Sequence, residues 1–277
     1  MRRNGIKSRE ISGLLVTLLL ILFVFLPFVP LPVWSLAEQW RFPDVVPTLS
    51  LRAWHDMFAT HSQVMDAVVN SLGLAAAVSL LSQALAYPAA RALGLYVKRG
   101  NKTIRLLLIA PILIPGISIA IGVHVLFLRL GLSDRWIGVL LSHLIPAVPY
   151  SIYLLYGFYA GYDIGYEKQV RLLGAGKLQT FRLVELPLLQ SVLPLSFLYS
   201  FLISWSQYLF TVFIGGGSLI TLPMLLFSTL SSGDFTLLGT LCIIFMLPAL
   251  LIVVFSSIGL KRDGYKGKEV HRVDPNV

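Results

Sequence analysis

Charge is scarce in this chain. Only 13% of its 277 residues are charged, 56% are hydrophobic and the mean hydropathy is +0.80, which leaves too little polar surface to cover a soluble domain. The intervals Ile11 to Ala37, Ala67 to Ala90, Leu106 to Leu128, Trp136 to Tyr162, Leu186 to Gly233 and Phe235 to Leu260 carry no charge of either sign. A carrier driven by an ion gradient is expected to hold its proton or sodium on intramembrane carboxylates. Their absence weighs against a secondary transporter, which stands as the alternative reading. The single cysteine, Cys242, lies inside the last apolar interval, so there is no disulfide frame and no thiolate cluster for a metal. Without clustered acids or metal ligands a membrane enzyme has little to work with. No catalytic, metal-binding or cofactor-binding residue is expected.

What is present is hydrocarbon-length helix. A bilayer core of about 30 Å takes roughly 20 apolar residues, and all but one of the intervals fit a single span. The exception, Leu186 to Gly233, has room for two, and the distribution of Lys and Arg decides the count. With six spans and both termini inside, the cytoplasmic segments hold Arg2, Arg3, Lys7 and Arg9; Arg91, Lys98, Arg99, Lys102 and Arg105; Lys168, Arg171, Lys177 and Arg182; and Lys261, Arg262, Lys266, Lys268 and Arg272. Only Arg41, Arg52, Arg129 and Arg135 fall outside. A seventh span would throw the basic tail to the wrong side. The expected fold is therefore an all-α membrane protein, one transmembrane domain over residues 1–277, with helices at about 11–36, 67–93, 104–130, 136–161, 188–214 and 235–260. The net charge of +9 is scattered over helix ends, so topology explains it and nucleic acid is not implied. The first run leads into Pro27-Phe28-Val29-Pro30 and not into a small-residue cleavage site, which reads as an uncleaved first helix.

Along the chain, Ser50 is read as the N-cap of a short interfacial helix to Ala59, with Leu51, Trp54 and Phe58 on one face. The second span opens at Asn70-Ser71 and is rich in Gly, Ala and Ser, the composition that lets helices approach closely in lipid; such a helix is built to be surrounded. Pro111, Pro115 and Gly116 in the third span, and Pro146 and Pro149 in the fourth, break backbone hydrogen bonds at mid-membrane. That is tolerated beside protein or a water-lined cavity and suggests a translocation path. Ser218 to Gly233 is read as a re-entrant or outer interfacial loop, too broken to cross. Asn70, Ser118, His124, Ser204, Trp205, Gln207 and Tyr208 are the candidate pathway residues, since polar or amphipathic side chains in a span are costly unless they face the bundle interior.

The one strongly charged interlude between apolar spans is Glu167 to Pro187, within a cytoplasmic loop at 163–187. Tyr166 to Leu173 favours helix, Gly174 and Gly176 interrupt it, and Leu178, Phe181, Leu183 and Val184 give a second amphipathic turn closed by Leu186-Pro187. Two short helices meeting at a glycine make a knob whose apolar face, in water, wants a partner. Gly174, nine residues, Val184, one residue, then Leu186-Pro187 resembles the EAA loop of permease subunits of binding-protein-dependent ABC importers. The acidic-alanine-alanine part of that pattern is replaced by Lys168-Gln169-Val170, with Glu167 one place early. Phe201 to Phe227, with Ser204-Trp205-Ser206-Gln207-Tyr208, a triple glycine and Thr221-Leu222-Pro223, is similar to the polyamine, thiamine and ferric-iron branch.

The resemblance implies a type I fold in a bacterial inner membrane, paired with a second, similar or identical permease. It also implies two copies of an ABC ATPase subunit and an extracytoplasmic solute-binding protein. It makes Glu167, Arg171, Gly174, Ala175, Lys177, Thr180, Phe181, Leu186 and Pro187 the ATPase-coupling residues. ATP binding by this chain is excluded on its own residues. A phosphate loop ending in Gly176-Lys177 needs glycine where Arg171 sits and a hydroxyl where Leu178 sits. His124 and His143, near Ser118 and Ser142, have no glycine-flanked nucleophile beside them, so proteolysis is not indicated.

Overall fold

A computed structural model describes residues 2–38, 40, 46–59, 62–97 and 100–251, with side chains from Gly13 onward. Among these residues the regular structure is helical, with no strand beyond an isolated bridge between Ala37 and Leu49. The chain forms two compact units, Gln63–Leu225 and the residues on either side of it. The first span runs through α1 (Arg2–Phe25), a 3-10 turn at Leu26–Phe28 and α2 (Pro30–Ser35); α3 (Arg52–Met57) follows. The Ser50 hydroxyl accepts the Arg52 N–H at 3.1 Å, but the N-cap position falls on Leu51, with no side-chain cap, and the helix is shorter than the expected 50–59.

The second unit is built on α4 (Val64–Leu95) and α7 (Trp136–Ala160). Ala67, Ser71, Ala75, Ser79, Ser82, Ala86 and Ala90, spaced three or four apart, are all buried. They form one stripe of α4 whose small side chains let α7 come close. A Cβ at Gly94 would overlap Tyr159 of α7. The stripe is covered, but Leu80 and Leu85 on the other side stay bare, so α4 is enclosed within this chain on one face only. At the end of α4 the Asn101 side-chain amide donates to the carbonyls of Leu93 and Val97 at 2.8 and 3.0 Å, closing orphaned acceptors.

Between α4 and α7 lie α5 (Asn101–Leu113) and α6 (Gly116–Arg129), bent by 94° where Ile114 turns extended before Pro115. The expected third span is thus a broken pair. The fourth is not broken: α7 stays helical through Pro146 and Pro149, because neighbours hold it in place, with Ala147 and Pro149 themselves buried.

After α7 come α8 (Gly165–Leu172), α9 (Lys177–Thr180), a π-turn at Phe181–Glu185, α10 (Leu186–Leu189), α11 (Leu193–Trp205) and α12 (Leu209–Gly215). The fifth span, expected as one helix over 188–214, is interrupted at 190–192 and again at 206–208. The chain from α9 to α11 bends by 67°. Pro194 in the first turn of α11 starts a new helix. The Ser206 hydroxyl donates to the Leu202 carbonyl at 2.8 Å, one of the local bonds with which Ser competes against helix continuation.

The segment expected as an irregular loop over 218–233 contains a helix, α13 (Leu222–Ser232). Its first N–H is accepted by the Ser71 hydroxyl at 2.8 Å, a tertiary cap no local pattern announces. With 11 residues, about 16 Å long, it is too short to cross. The last described helix is α14 (Phe235–Leu251), started by Asp234, whose carboxylate accepts the Leu237 N–H at 3.0 Å. The expected span to Leu260 and the basic tail lie, from residue 252, outside the described residues.

In the unit formed by the residues flanking Gln63–Leu225, Trp34 stacks on Phe235 at 5.6 Å, Gly239 lies against the backbone of Leu31 and Ser35, and Arg52 pairs with Asp234 at 3.3 Å. Among the described residues, Gly13–Ser35, Val64–Leu95 and Trp136–Ala160 are long and apolar enough to cross a membrane alone, and each of the two bent pairs meets the same length and composition as a broken span or a re-entrant loop.

Candidate functional site

The loop after α7 is held by a charge cluster on its inner side. Glu167 of α8 is 3% exposed and Glu185 of the π-turn 2% exposed, and burying two carboxylates requires compensation. Arg91, near the end of α4, supplies it. Its Nη2 donates to both Glu167 oxygens at 2.7 and 2.8 Å, and its Nε lies 3.2 Å from Glu185 Oε1, a charge contact and not an aligned hydrogen bond. The same Glu185 oxygen accepts from the Tyr87 hydroxyl at 2.9 Å and the Tyr159 hydroxyl at 2.6 Å. Arg171, one turn along α8, donates to Glu167 Oε2 at 3.3 Å. Both arms of the loop therefore end on α4 and α7. Just past the end of α7, Tyr162 has its phenol pushed above the ordinary range, first by burial and then by the negative charge of Glu167 and Glu185.

The outer side of the loop is the reverse. Leu172 and Leu173 at the tip are 87% and 88% exposed, with Leu178 and Leu183 also bare, and Lys168, Arg171, Lys177 and Arg182 are exposed around them. Gly174 makes the tip turn at φ +90°, a conformation for which glycine is the default residue. Ala175 is half-buried, its N–H bonded to the Val170 carbonyl. The second arm is self-capped: the Gly176 N–H donates to the Gln179 side chain at 2.9 Å, and the Thr180 hydroxyl to the Gly176 carbonyl at 3.0 Å. Thr180 is buried, Phe181 packs edge-on against Tyr87 at 5.8 Å, and Leu186 and Pro187 form the first turn of α10. A cavity of about 440 Å³ opens between loop and membrane helices, lined by Tyr87, Arg91, Glu167, Lys177, Phe181 and Glu185 among others.

The loop residues read from the sequence are thus brought together, but on two sides. Glu167, Thr180 and Phe181 face the membrane helices and Gly174 is at the exposed tip, while Arg171 and Lys177 are exposed at the rim of the cavity, with Arg171 reaching back to Glu167. Tyr87, Arg91, Tyr159 and Glu185 were missed. In the sequence Arg91 reads only as a topological cation and Glu185 only as the spacer before Leu186-Pro187. A π-turn, which adds a residue to the helical repeat, is what turns Glu185 inward.

The candidate pathway residues scatter. Gln207 lines a second cavity of about 210 Å³ at the two helix breaks, together with Pro111, Gly116, Pro146, Tyr150 and Phe210. Ser118 is exposed, and Tyr208 and His124 are half-buried, the His124 ring edge-on to Phe213 at 6.5 Å. Trp205 is buried against Phe201, and Asn70 donates its amide to the Ile220 carbonyl at 3.0 Å, fixing the chain ahead of α13. Ser204 is buried on His143, which bridges α11 and α12 through Ser204 at 2.9 Å and Thr211 at 3.0 Å.

Two helix breaks thus meet at one small cavity, and a two-sided knob is clasped to the helix ends. The family model described as "binding-protein-dependent transport system inner membrane component" matches residues 85–260. The chain belongs to that family. The matched stretch takes in the distal part of α4, with Tyr87 and Arg91, and the whole knob.

This permease is 25% identical over 214 residues to the spermidine/putrescine transport system permease protein PotC of Escherichia coli, covering 77% of the chain and 81% of that protein. It is 27% identical over 263 residues to the putative 2-aminoethylphosphonate transport system permease protein PhnV of Salmonella paratyphi A, covering 94% and 98%. A crystal structure of a bacterial ABC transporter involved in import of the acidic polysaccharide alginate shares the fold, with TM-score 0.72, 17% identity and coverage of 90% and 96%. The resemblance drawn from Gly174, Val184, Leu186 and Pro187 to ABC-importer permeases holds. The relatives are transport permeases and not enzymes.

Proposed function

We propose that this chain is one transmembrane subunit of an ATP-driven importer, a single domain of six spans with both termini cytoplasmic. It pairs with a second permease, similar or identical, and seats its knob at 163–187 in a groove on one of two ATPase subunits. A soluble receptor outside the membrane delivers the solute. The observation that carries the reading is the knob itself: leucines at the tip bare to water, ringed by cations, on a loop whose inner side is locked to α4 and α7. An exposed apolar patch of this kind is a docking surface.

The path for the solute runs past the helix breaks, where Gln207 and Tyr150 are the polar groups of an otherwise apolar cavity; Ser118 and His124 are further pathway candidates. Spermidine, putrescine and 2-aminoethylphosphonate, named for the relatives' systems, all carry a primary amine. A small amine-bearing solute fits this chain as well, within a broader class that includes thiamine-like molecules and ferric iron. No carboxylate stands in the apolar intervals to hold such a charge, so the receptor reads it.

The test is purification of the tagged chain in mild detergent, followed by reconstitution. Recovery of an ATPase and a second permease, and uptake of labelled putrescine or 2-aminoethylphosphonate only with ATP, is the expected result. Uptake driven by an ion gradient without ATP would overturn the reading. Leu173→Asp, which places a charge on the tip, is expected to lower ATPase recovery at least about tenfold, the cost of one misplaced group in a buried contact, with unchanged membrane insertion.

A further inference from the structure

We infer that Arg91 is the positioning residue through which the knob moves the membrane helices; the inference rests on the coupling role proposed above. The knob has two arms, and each ends in a buried carboxylate, Glu167 on α8 and Glu185 in the π-turn. One guanidinium, on neither arm, meets both: Arg91 of α4. Tyr87, one turn earlier on α4, and Tyr159 of α7 close on the same Glu185 oxygen. At the tip the chain is turned by backbone bonds from Gly174 to the Arg171 carbonyl and from Ala175 to the Val170 carbonyl. The roots of the two arms are joined through α4.

That arrangement has a mechanical consequence. A push on the exposed tip, at Leu172 to Leu178, reaches the membrane helices only through what holds the roots of the two arms. Arg91 fixes them to the helix that carries the small-residue stripe, so displacement passes to α4 and, through Gly94 against Tyr159, to α7. Two buried carboxylates share one half-buried cation; releasing Glu185 leaves it without a cation, and releasing Glu167 leaves it Arg171 alone. The planar guanidinium directs two hydrogen bonds at Glu167 while its Nε stays 3.2 Å from Glu185; a lysine ammonium keeps the charge but not that spread over both carboxylates. Glu167 is then an internal anchor, and contact with the ATPase falls to the cations and leucines of the outer side.

The experiment uses the assembled transporter in lipid nanodiscs, with Cys242→Ser and a bimane label on Met65→Cys, an exposed position in the first turn of α4. The readouts are the bimane spectral change on trapping with ATP and vanadate, and hydrolysis of ATP. Arg91→Gln is expected to lose most of the spectral change while the ATPase stays bound and turning over, and Arg91→Lys to recover a large part of it. Arg91→Gln leaves Glu185 without a cation and Glu167 with Arg171 alone, so the neutral triple variant Arg91→Met/Glu167→Gln/Glu185→Gln serves as the foldable counterpart and is expected to behave as Arg91→Gln does. A triple variant with the full spectral change overturns the inference. So does a loss of hydrolysis and ATPase binding in parallel with the movement, equally in the Lys and Gln variants, which marks a purely structural role. An unsubstituted chain that binds no ATPase fails earlier, before any variant is compared, and takes the coupling reading down with it.

Discussion

His143 carries a neutral imidazole whose tautomer follows from its neighbours. The Thr211 hydroxyl donates to the Gln207 carbonyl at 3.0 Å, so toward His143 it accepts, and Nε2 carries the proton. Nδ1 is left to accept from the Ser204 hydroxyl. Both ring nitrogens are used, and the residue is 1% exposed; it splints the interruption at 206–208. His143→Leu leaves both hydroxyls without their partner in a dry site and is expected to lower stability by about 1–3 kcal/mol. His143→Gln, which offers a donor and an acceptor, is expected to lose less. Thermal unfolding in detergent reads both, and a fully stable leucine variant would show that the hydroxyls find other partners. The same physics explains why Ser204, a pathway candidate by polarity, is occupied within the bundle: a mid-membrane hydroxyl takes the nearest acceptor, and sequence does not say which helix brings it.

At the scale of elements, α4 organises its unit because its buried stripe is made of alanine and serine. Gln83 extends the contact with polar reach, its amide 3.4 Å from the Ser151 hydroxyl of α7 and 3.3 Å from that of Ser200 in α11, the kind of interhelical bond that serves where lipid removes the hydrophobic drive. Gly94 is the position of closest approach. Gly94→Ala is expected to destabilise the protein by about 1–3 kcal/mol by overpacking, because the added methyl meets the backbone of Tyr159. Gly73→Ala, on the same helix with nothing within 4 Å, is the control expected to be neutral. Equal melting of the two variants would mean that α4 and α7 can part without cost. The composition of α4 announced close packing; the position that touches was legible only once α7 was placed beside it.

For the whole molecule, the proposed six spans are tested by labelling in a Cys242→Ser background. A membrane-impermeant maleimide is expected to reach Leu130→Cys in intact spheroplasts, and Lys102→Cys and Lys168→Cys only after permeabilisation; the inverse pattern would turn the topology over. The sequence by itself determined the class of molecule, the approximate positions of its apolar spans and the place of the knob. Hydropathy, the clustering of cations at helix ends and the spacing from Gly174 to Leu186-Pro187 are properties of the chain read locally, and lipid acts on them directly. The sequence marks Pro115 as a place where backbone bonds are lost, but marks Pro146 and Pro149 alike, so which of the two spans breaks is not a local property. Only the tertiary structure decided that the fifth span is interrupted twice while the fourth runs through its prolines, that Ser71 caps α13, and that Glu167 and Glu185 turn inward to Arg91. Those outcomes depend on which helix face meets which across long separations in the chain. A buried charge is affordable only where another part of the fold brings its counter-charge.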